Sequence, residues 1–154
     1  MTYASCPTTV IDAPVNRVWS LLTLPADWGN FFDVRITRVD PDGPAVVGQK
    51  FYGESGPPVL HLKLRFQYIE IDPVQYKLRV DVWLPFGLAV RETLNCVPLE
   101  ENQCRVNYHC EFSFPTGWRG AIARLVLRRE LDRGPVDSLS RLKRAAEHPT
   151  RHVP

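Results

Sequence analysis

The order of the predicted elements constrains this chain most. An opening strand, Ala4 to Ile11, is followed by strand after strand up to about Phe114, and the chain then closes with one long helical run from Gly117 to Glu147. The strand runs alternate cleanly. Leu60, Leu62, Leu64, Phe66 and Tyr68 alternate with His61, Lys63, Arg65 and Gln67. Leu78, Val80 and Val82 alternate with Lys77, Arg79 and Asp81. Leu88, Val90, Leu94 and Cys96 then alternate with Ala89, Arg91, Thr93 and Asn95, and Cys104, Val106, Tyr108, Cys110, Phe112 and Phe114 with polar neighbours. A period of two with one apolar face is the pattern of an antiparallel meander wet on one side. Strands of this length twist and curl, so the sheet acquires a concave side. One helix cannot fill so large a concavity, and a hollow between sheet and helix is expected.

Shorter elements complete the outline. Val15, Val18, Trp19 and Leu22 recur at helical spacing behind Asp12-Ala13-Pro14, which predicts a short helix. Pro25-Ala26-Asp27-Trp28 begins a second helical turn, ending near Phe31-Phe32. Val34–Val39 and Gly48–Glu54 read as strands around the turn Asp40-Pro41-Asp42-Gly43-Pro44, and Gly56-Pro57-Pro58 breaks the second. The fold class is therefore α+β: a curved antiparallel sheet against a long C-terminal helix, with two short helices after the first strand. One domain over 1–148 and a flexible tail over 149–154 are expected.

In the closing helix the large apolar residues do not form one stripe. Trp118, Ile122 and Leu125 share a face, Leu127 and Leu131 another, and Val136, Leu139 and Leu142 are shifted again. The phase changes at Gly134-Pro135, and an interior proline bends a helix. One kinked helix is expected, docked through Leu139, Leu142 and Ala146.

Composition excludes several classes. No apolar run approaches the roughly 20 residues of a membrane span. Met1-Thr2-Tyr3-Ala4-Ser5-Cys6-Pro7 has no secretory character, so a cytoplasmic protein with reduced thiols is expected. Cys6, Cys96, Cys104 and Cys110 lack paired metal-ligand spacing, so neither metal nor cofactor is expected. Cys96 and Cys104 flank a predicted hairpin turn, which leaves a cross-strand disulfide as the competing reading. Residues 1–117 carry 10 basic and 13 acidic side chains, and residues 118–154 carry nine and four. This skew reads first as a solvated helix face and second as a site for an anionic partner. Aromatics are not interleaved with the basic residues as nucleic-acid binding requires, so no nucleic-acid partner is expected.

The segments Ala13-Pro14-x-x-x-Val18-Trp19 and Pro25-Ala26-Asp27-Trp28, behind a first strand, resemble the opening of START-like proteins of the SRPBCC superfamily. Ser138-Leu139-x-Arg141-Leu142-Lys143-x-Ala145-Ala146-Glu147 is similar to the end of their C-terminal helix. That superfamily includes polyketide cyclase/dehydrase-like proteins, the birch-pollen allergen type and lipid-transfer domains. The resemblance implies a helix-grip fold of seven antiparallel strands around a long helix, with an apolar cavity between them. It implies no catalytic residues, because the superfamily shares no catalytic motif.

Candidate site residues follow from parity. Leu64, Phe66, Tyr68, Val80, Val82, Val90, Tyr108 and Cys110 point inward from the strands, and Ile122, Leu125 and Arg129 are placed on the helix face toward them. Glu92 shares the parity of Val90 and Leu94. A carboxylate there is desolvated, its pKa rises, and it becomes an acid or an anchor for a ligand hydroxyl. A bulge after Gly87, or an arginine partner, would instead make it structural. Arg129 is a candidate partner for Glu92 or for an acidic head group, unless it snorkels to water. Phe86, in the Pro85-Phe86-Gly87 connection, reads equally as a gate or a plug, while Trp28 and Phe32 lean toward core. His61 and His109 fall on the outer parity. The first function expected is a binding or carrier protein for a small hydrophobic molecule such as a lipid or polyketide. The alternatives are a cyclase/dehydratase-type enzyme using Glu92 and an interaction module using the basic last helix.

Overall fold

The computed structural model describes residues 2–56 and 61–149. The Pro57-Pro58 break, Leu60 and the tail from Thr150, with His152, lie outside the described residues. The strands are β1 (Thr2–Ser5), β2 (Thr8–Ile11), β3 (Arg35–Asp40), β4 (Lys50–Ser55), β5 (Leu62–Asp72), β6 (Lys77–Trp83), β7 (Ala89–Glu100) and β8 (Gln103–Ser113). Helix α1 spans Val15–Leu22, a 3-10 turn spans Pro25–Asn30, and helix α2 spans Trp118–Glu147. This is the expected helix-grip arrangement. Strands β3 to β8 form a consecutive antiparallel meander, and β1 and β2 both pair with β8 at its far edge. The predicted first strand is thus two short ones in a single sheet position. The break falls at Cys6-Pro7, where proline offers no N–H to the ladder; its carbonyl still accepts from the Tyr108 amide at 3.0 Å.

One end of the interior is dry and aromatic. Trp28 and Phe31 are buried and pack with Phe32, Phe51, Phe66 and Tyr68, the Phe51 and Phe66 rings stacking at 4.7 Å. The end of α1 is anchored there. The Trp28 indole N–H (3.0 Å) and the Tyr68 hydroxyl (2.9 Å) both donate to the Leu22 carbonyl. A buried terminal carbonyl would otherwise go without a partner, because the helix no longer supplies one. Trp28 and Phe66 are therefore wall and core.

Helix α2 is continuous through Pro135, and its packing differs from the sequence reading. The residues it buries or half-buries against the sheet are Gly120, Ala123, Leu127, Leu131, Pro135, Leu139, Leu142 and Ala146. Steps of three and four residues make them a single stripe. The large apolar side chains misled because the stripe uses glycine, alanine and proline at four of its positions. Gly120 is required where it stands, since a Cβ there would run into the Pro115 carbonyl oxygen. Trp118, Ile122, Leu125 and Arg129 are exposed rather than turned to the sheet.

Among the described residues no helix is long and apolar enough to cross a membrane. No cluster of three or more His, Cys, Asp or Glu side chains there could hold a metal ion.

Candidate functional site

Two adjacent strands, β7 and β8, set the site. β7 pairs without a shift to β6 from Ala89 to Asn95 and to β8 from Ala89 to Pro98, so no bulge turns Glu92 outward. Glu92 lies between Val80 of β6 and Cys110 of β8, on the inner face. Tyr108 is two residues from Cys110 on the same face, and its hydroxyl donates to the Glu92 carboxylate. The other carboxylate oxygen, Oε2, is buried and has no hydrogen-bond partner among the described residues. A buried orphan oxygen of this kind is rare and costly, so its neighbourhood calls for an explanation.

Electrostatics follow from burial. Desolvation pushes the Glu92 carboxyl up to about 7, and the Tyr108 hydrogen bond opposes that rise. Burial, together with the nearby Glu92 charge, drives the Tyr108 phenol well above its ordinary value. The Cys110 thiol is raised by the same two causes in the same order. Of these three groups Glu92 alone changes charge near neutral pH. Tyr108 acts as a fixed donor and Cys110 as a neutral, weakly polar wall.

Exposure along the inner face is graded. Leu22, Tyr68, Leu78 and Val80 are wholly buried, whereas Leu64, Val90, Glu92 and Phe114 keep 6–9% of their surface. The helix explains the gradient. Leu139, Leu142 and Ala146 join the main core, while Leu131 joins Leu88 and Phe114 in a second, smaller cluster. Glu92 sits near the seam between the two, since Val90 and its partner Phe112 are the next inward pair along β7 and β8. Beyond that pair, a solvent-open groove of about 820 Å³ separates the first half of α2 from the β1–β8 edge. Phe114, Leu131, Gly120, Arg124, Arg128 and the Tyr3–Asp132 pair are among its lining residues. Tyr3 donates to Asp132 Oδ1 at 2.8 Å. Phe114, just past the end of β8, lies roughly 13 Å from Cys110 in the strand direction, at about 3.3 Å per residue.

The candidates divide accordingly. Glu92, Tyr108, Cys110, Val90, Val82 and Leu64 share the inner face, with the wholly buried Val80 beside Glu92 on β6. Phe66 and Tyr68 belong to the aromatic wall. Leu125 borders the groove but is exposed, and Ile122 and Arg129 face water, so Arg129 does not reach Glu92. Phe86 is also exposed and plugs nothing; its φ of 67° turns the short 3-10 segment Pro85–Gly87 outward. Cys96 and Cys104 are free thiols opposite Val106 and Pro98 rather than each other. His61 and His109 are exposed, and His109 Nδ1 lies 2.8 Å from Cys6 Sγ on the outer face. Sequence reasoning missed Tyr3 and Asp132. Tyr3 was legible, because it continues the inward alternation of the first strand.

The chain matches, over residues 7–147, the family described as polyketide cyclase / dehydrase and lipid transport. No curated protein matches the sequence. Among solved structures, the Zhui aromatase/cyclase from Streptomyces sp. R1128 superposes with a TM-score of 0.78 at 16% identity, covering 99% of this chain and 98% of that one. Norcoclaurine synthase from Thalictrum flavum, in complex with dopamine and hydroxybenzaldehyde, gives 0.66 at 14% identity, covering 93% and 84%. The di-domain aromatase/cyclase StfQ of the steffimycin biosynthetic pathway gives 0.69 at 16% identity, covering 93% of this chain and 45% of that one. At these identities the likeness is one of fold.

Proposed function

The chain belongs to the polyketide cyclase/dehydrase and lipid transport family, and from that premise we propose that it binds a small hydrophobic molecule bearing a hydroxyl group, between its sheet and closing helix. The observation that carries this reading is the Oε2 of Glu92, buried and without a hydrogen-bond partner among the described residues, on an otherwise apolar face. Apolar contact with Leu64, Val82 and Val90 supplies affinity in proportion to the ligand area removed from water. A ligand hydroxyl donating to Oε2 supplies orientation and relieves the cost of the orphan oxygen.

A second reading, proton transfer to the bound molecule, is favoured by the Glu92 carboxyl lying near 7. A group poised at neutral pH both gives and accepts protons with little penalty. Two structural neighbours are aromatase/cyclases by name, which supports reading proton transfer as the enzymatic alternative at this site.

Calorimetric titration with 2-naphthol and with naphthalene tests the binding reading. At pH 8 the wild type is expected to bind naphthol about tenfold more tightly, from one charge-assisted hydrogen bond of about 1.5 kcal/mol. Glu92→Leu removes the preference and keeps naphthalene binding. Equal affinities for both compounds in the wild type, or no binding of either, contradict it. Native mass spectrometry of protein from its own host then identifies the natural guest. Conversion of that guest by the wild type but not by Glu92→Gln, with binding retained, selects the catalytic reading.

A further inference from the structure

The first half of α2 has a face that none of the described residues covers. Trp118 (70% exposed), Ile122 (51%), Leu125 (75%) and Val126 (71%) lie opposite the Ala123–Leu127–Leu131 stripe. Exposed arginines share or border that face: Arg129 and Arg133 among the apolar side chains, Arg119 and Arg128 at its flanks. Arg128, Arg129 and Arg133 have no ion-pair partner among the described residues. Residues 118–133 carry five arginines against Glu130 and Asp132. Phe86, 79% exposed, belongs to the same end of the molecule, because its neighbour Gly87 lies close enough to Pro115, three residues before Trp118, that a Cβ added there would touch the proline ring.

We propose that this end of the protein docks on an anionic lipid surface, inserting Trp118, Ile122, Leu125, Val126 and Phe86 among the head groups while the arginines pair with lipid phosphates. Soluble proteins seldom leave so many large apolar side chains exposed in one patch. A basic helix with Trp and aliphatic residues on one face is suited to the plane of a bilayer interface, where aromatic rings settle at head-group depth. A second copy of the chain fits less well. A two-fold contact through this patch would set its arginines against each other, and like charges face to face are repulsive. The surface is separate from Glu92 and its docking does not depend on what the inner site binds.

Co-sedimentation with extruded vesicles tests the proposal. Vesicles of phosphatidylcholine with about 30% phosphatidylglycerol are compared with pure phosphatidylcholine at low salt. The wild type is expected to pellet with the anionic vesicles at least tenfold more strongly, and to release as salt rises to about 0.5 M, where charges are screened within a few ångström. Arg128→Glu/Arg129→Glu and, separately, Trp118→Ser are each expected to abolish pelleting. Both alter only exposed side chains, and unchanged melting temperatures verify that the variants are folded. Failure of the wild type to pellet with anionic vesicles overturns the proposal. So does pelleting unaffected by either variant, or a dimer in sedimentation velocity that Trp118→Ser dissociates.

Discussion

The Tyr108 hydroxyl donates to one oxygen of the Glu92 carboxylate and leaves the other buried without a partner among the described residues. Both residues are held on adjacent strands, β7 and β8, so this half-satisfied pair is fixed by the sheet register and not by a mobile loop. Its consequences can be measured on the protein without any ligand.

Glu92 makes stability fall with pH. Its folded-state pKa, about 7, lies above the ordinary carboxylate value of 4.5. The folded state therefore holds the proton more tightly than the unfolded chain. The stabilisation is complete below pH 4.5 and is lost as pH rises toward 7. The loss is on the order of 3 kcal/mol, at 1.36 kcal/mol per unit. Denaturant unfolding of wild type and Glu92→Gln at pH 5 and pH 8 checks this: the variant is expected to gain relative stability at pH 8. Parallel curves at both pH values would contradict it.

Two glycines of α2 are expected to respond to alanine with opposite signs. At Gly120 the new methyl meets the Pro115 carbonyl oxygen, and the helix start must shift, costing about 1–3 kcal/mol. At Gly134 nothing beyond its chain neighbours lies within 4 Å of the added Cβ, so Gly134→Ala is expected to stabilise by up to about 0.5 kcal/mol, helix propensity being partly offset by the crowding of a Cβ against Pro135. Thermal melts of the two variants check the pair.

Truncations on α2 separate its halves. Leu142 is almost wholly buried in the main core, so Leu142→Ala is expected to cost about 2–5 kcal/mol. Leu125 is exposed, and Leu125→Ala is expected to change stability by less than about 0.5 kcal/mol. Urea unfolding midpoints distinguish them.

The hydroxyl of Tyr68 is expected to be worth about 1 kcal/mol. Tyr68→Phe removes one of two donors to the Leu22 carbonyl and leaves the Trp28 indole in place. The measured cost is therefore expected to stay below that of leaving the carbonyl bare, which a Tyr68→Phe/Trp28→Phe double variant produces.

The strands were legible because period-two alternation is a local signal, and it placed Glu92, Tyr108 and Cys110 on one face. The register that sets Glu92 opposite Cys110, and so beside Tyr108, is a pairing between strands that no single strand encodes. The helix was harder. Its packed face is written in Gly120, Ala123 and Pro135 as much as in leucine, so a search for large apolar residues turned Ile122, Leu125 and Arg129 the wrong way. Their exposure leaves the groove open and the patch at that end unpartnered. The split of the first strand at Cys6-Pro7 was visible in Pro7 itself, which cannot donate to a ladder.

The central claim is that Glu92 offers a desolvated carboxylate to a guest. Carbon-13 NMR of the Glu92 side-chain carboxyl, titrated with pH with and without 2-naphthol, tests it most directly. The account predicts a midpoint near 7 in the free protein, lowered when a ligand hydroxyl donates to the charged form. A free-protein midpoint at the ordinary carboxylate value, or one that saturating naphthol leaves in place, would contradict it.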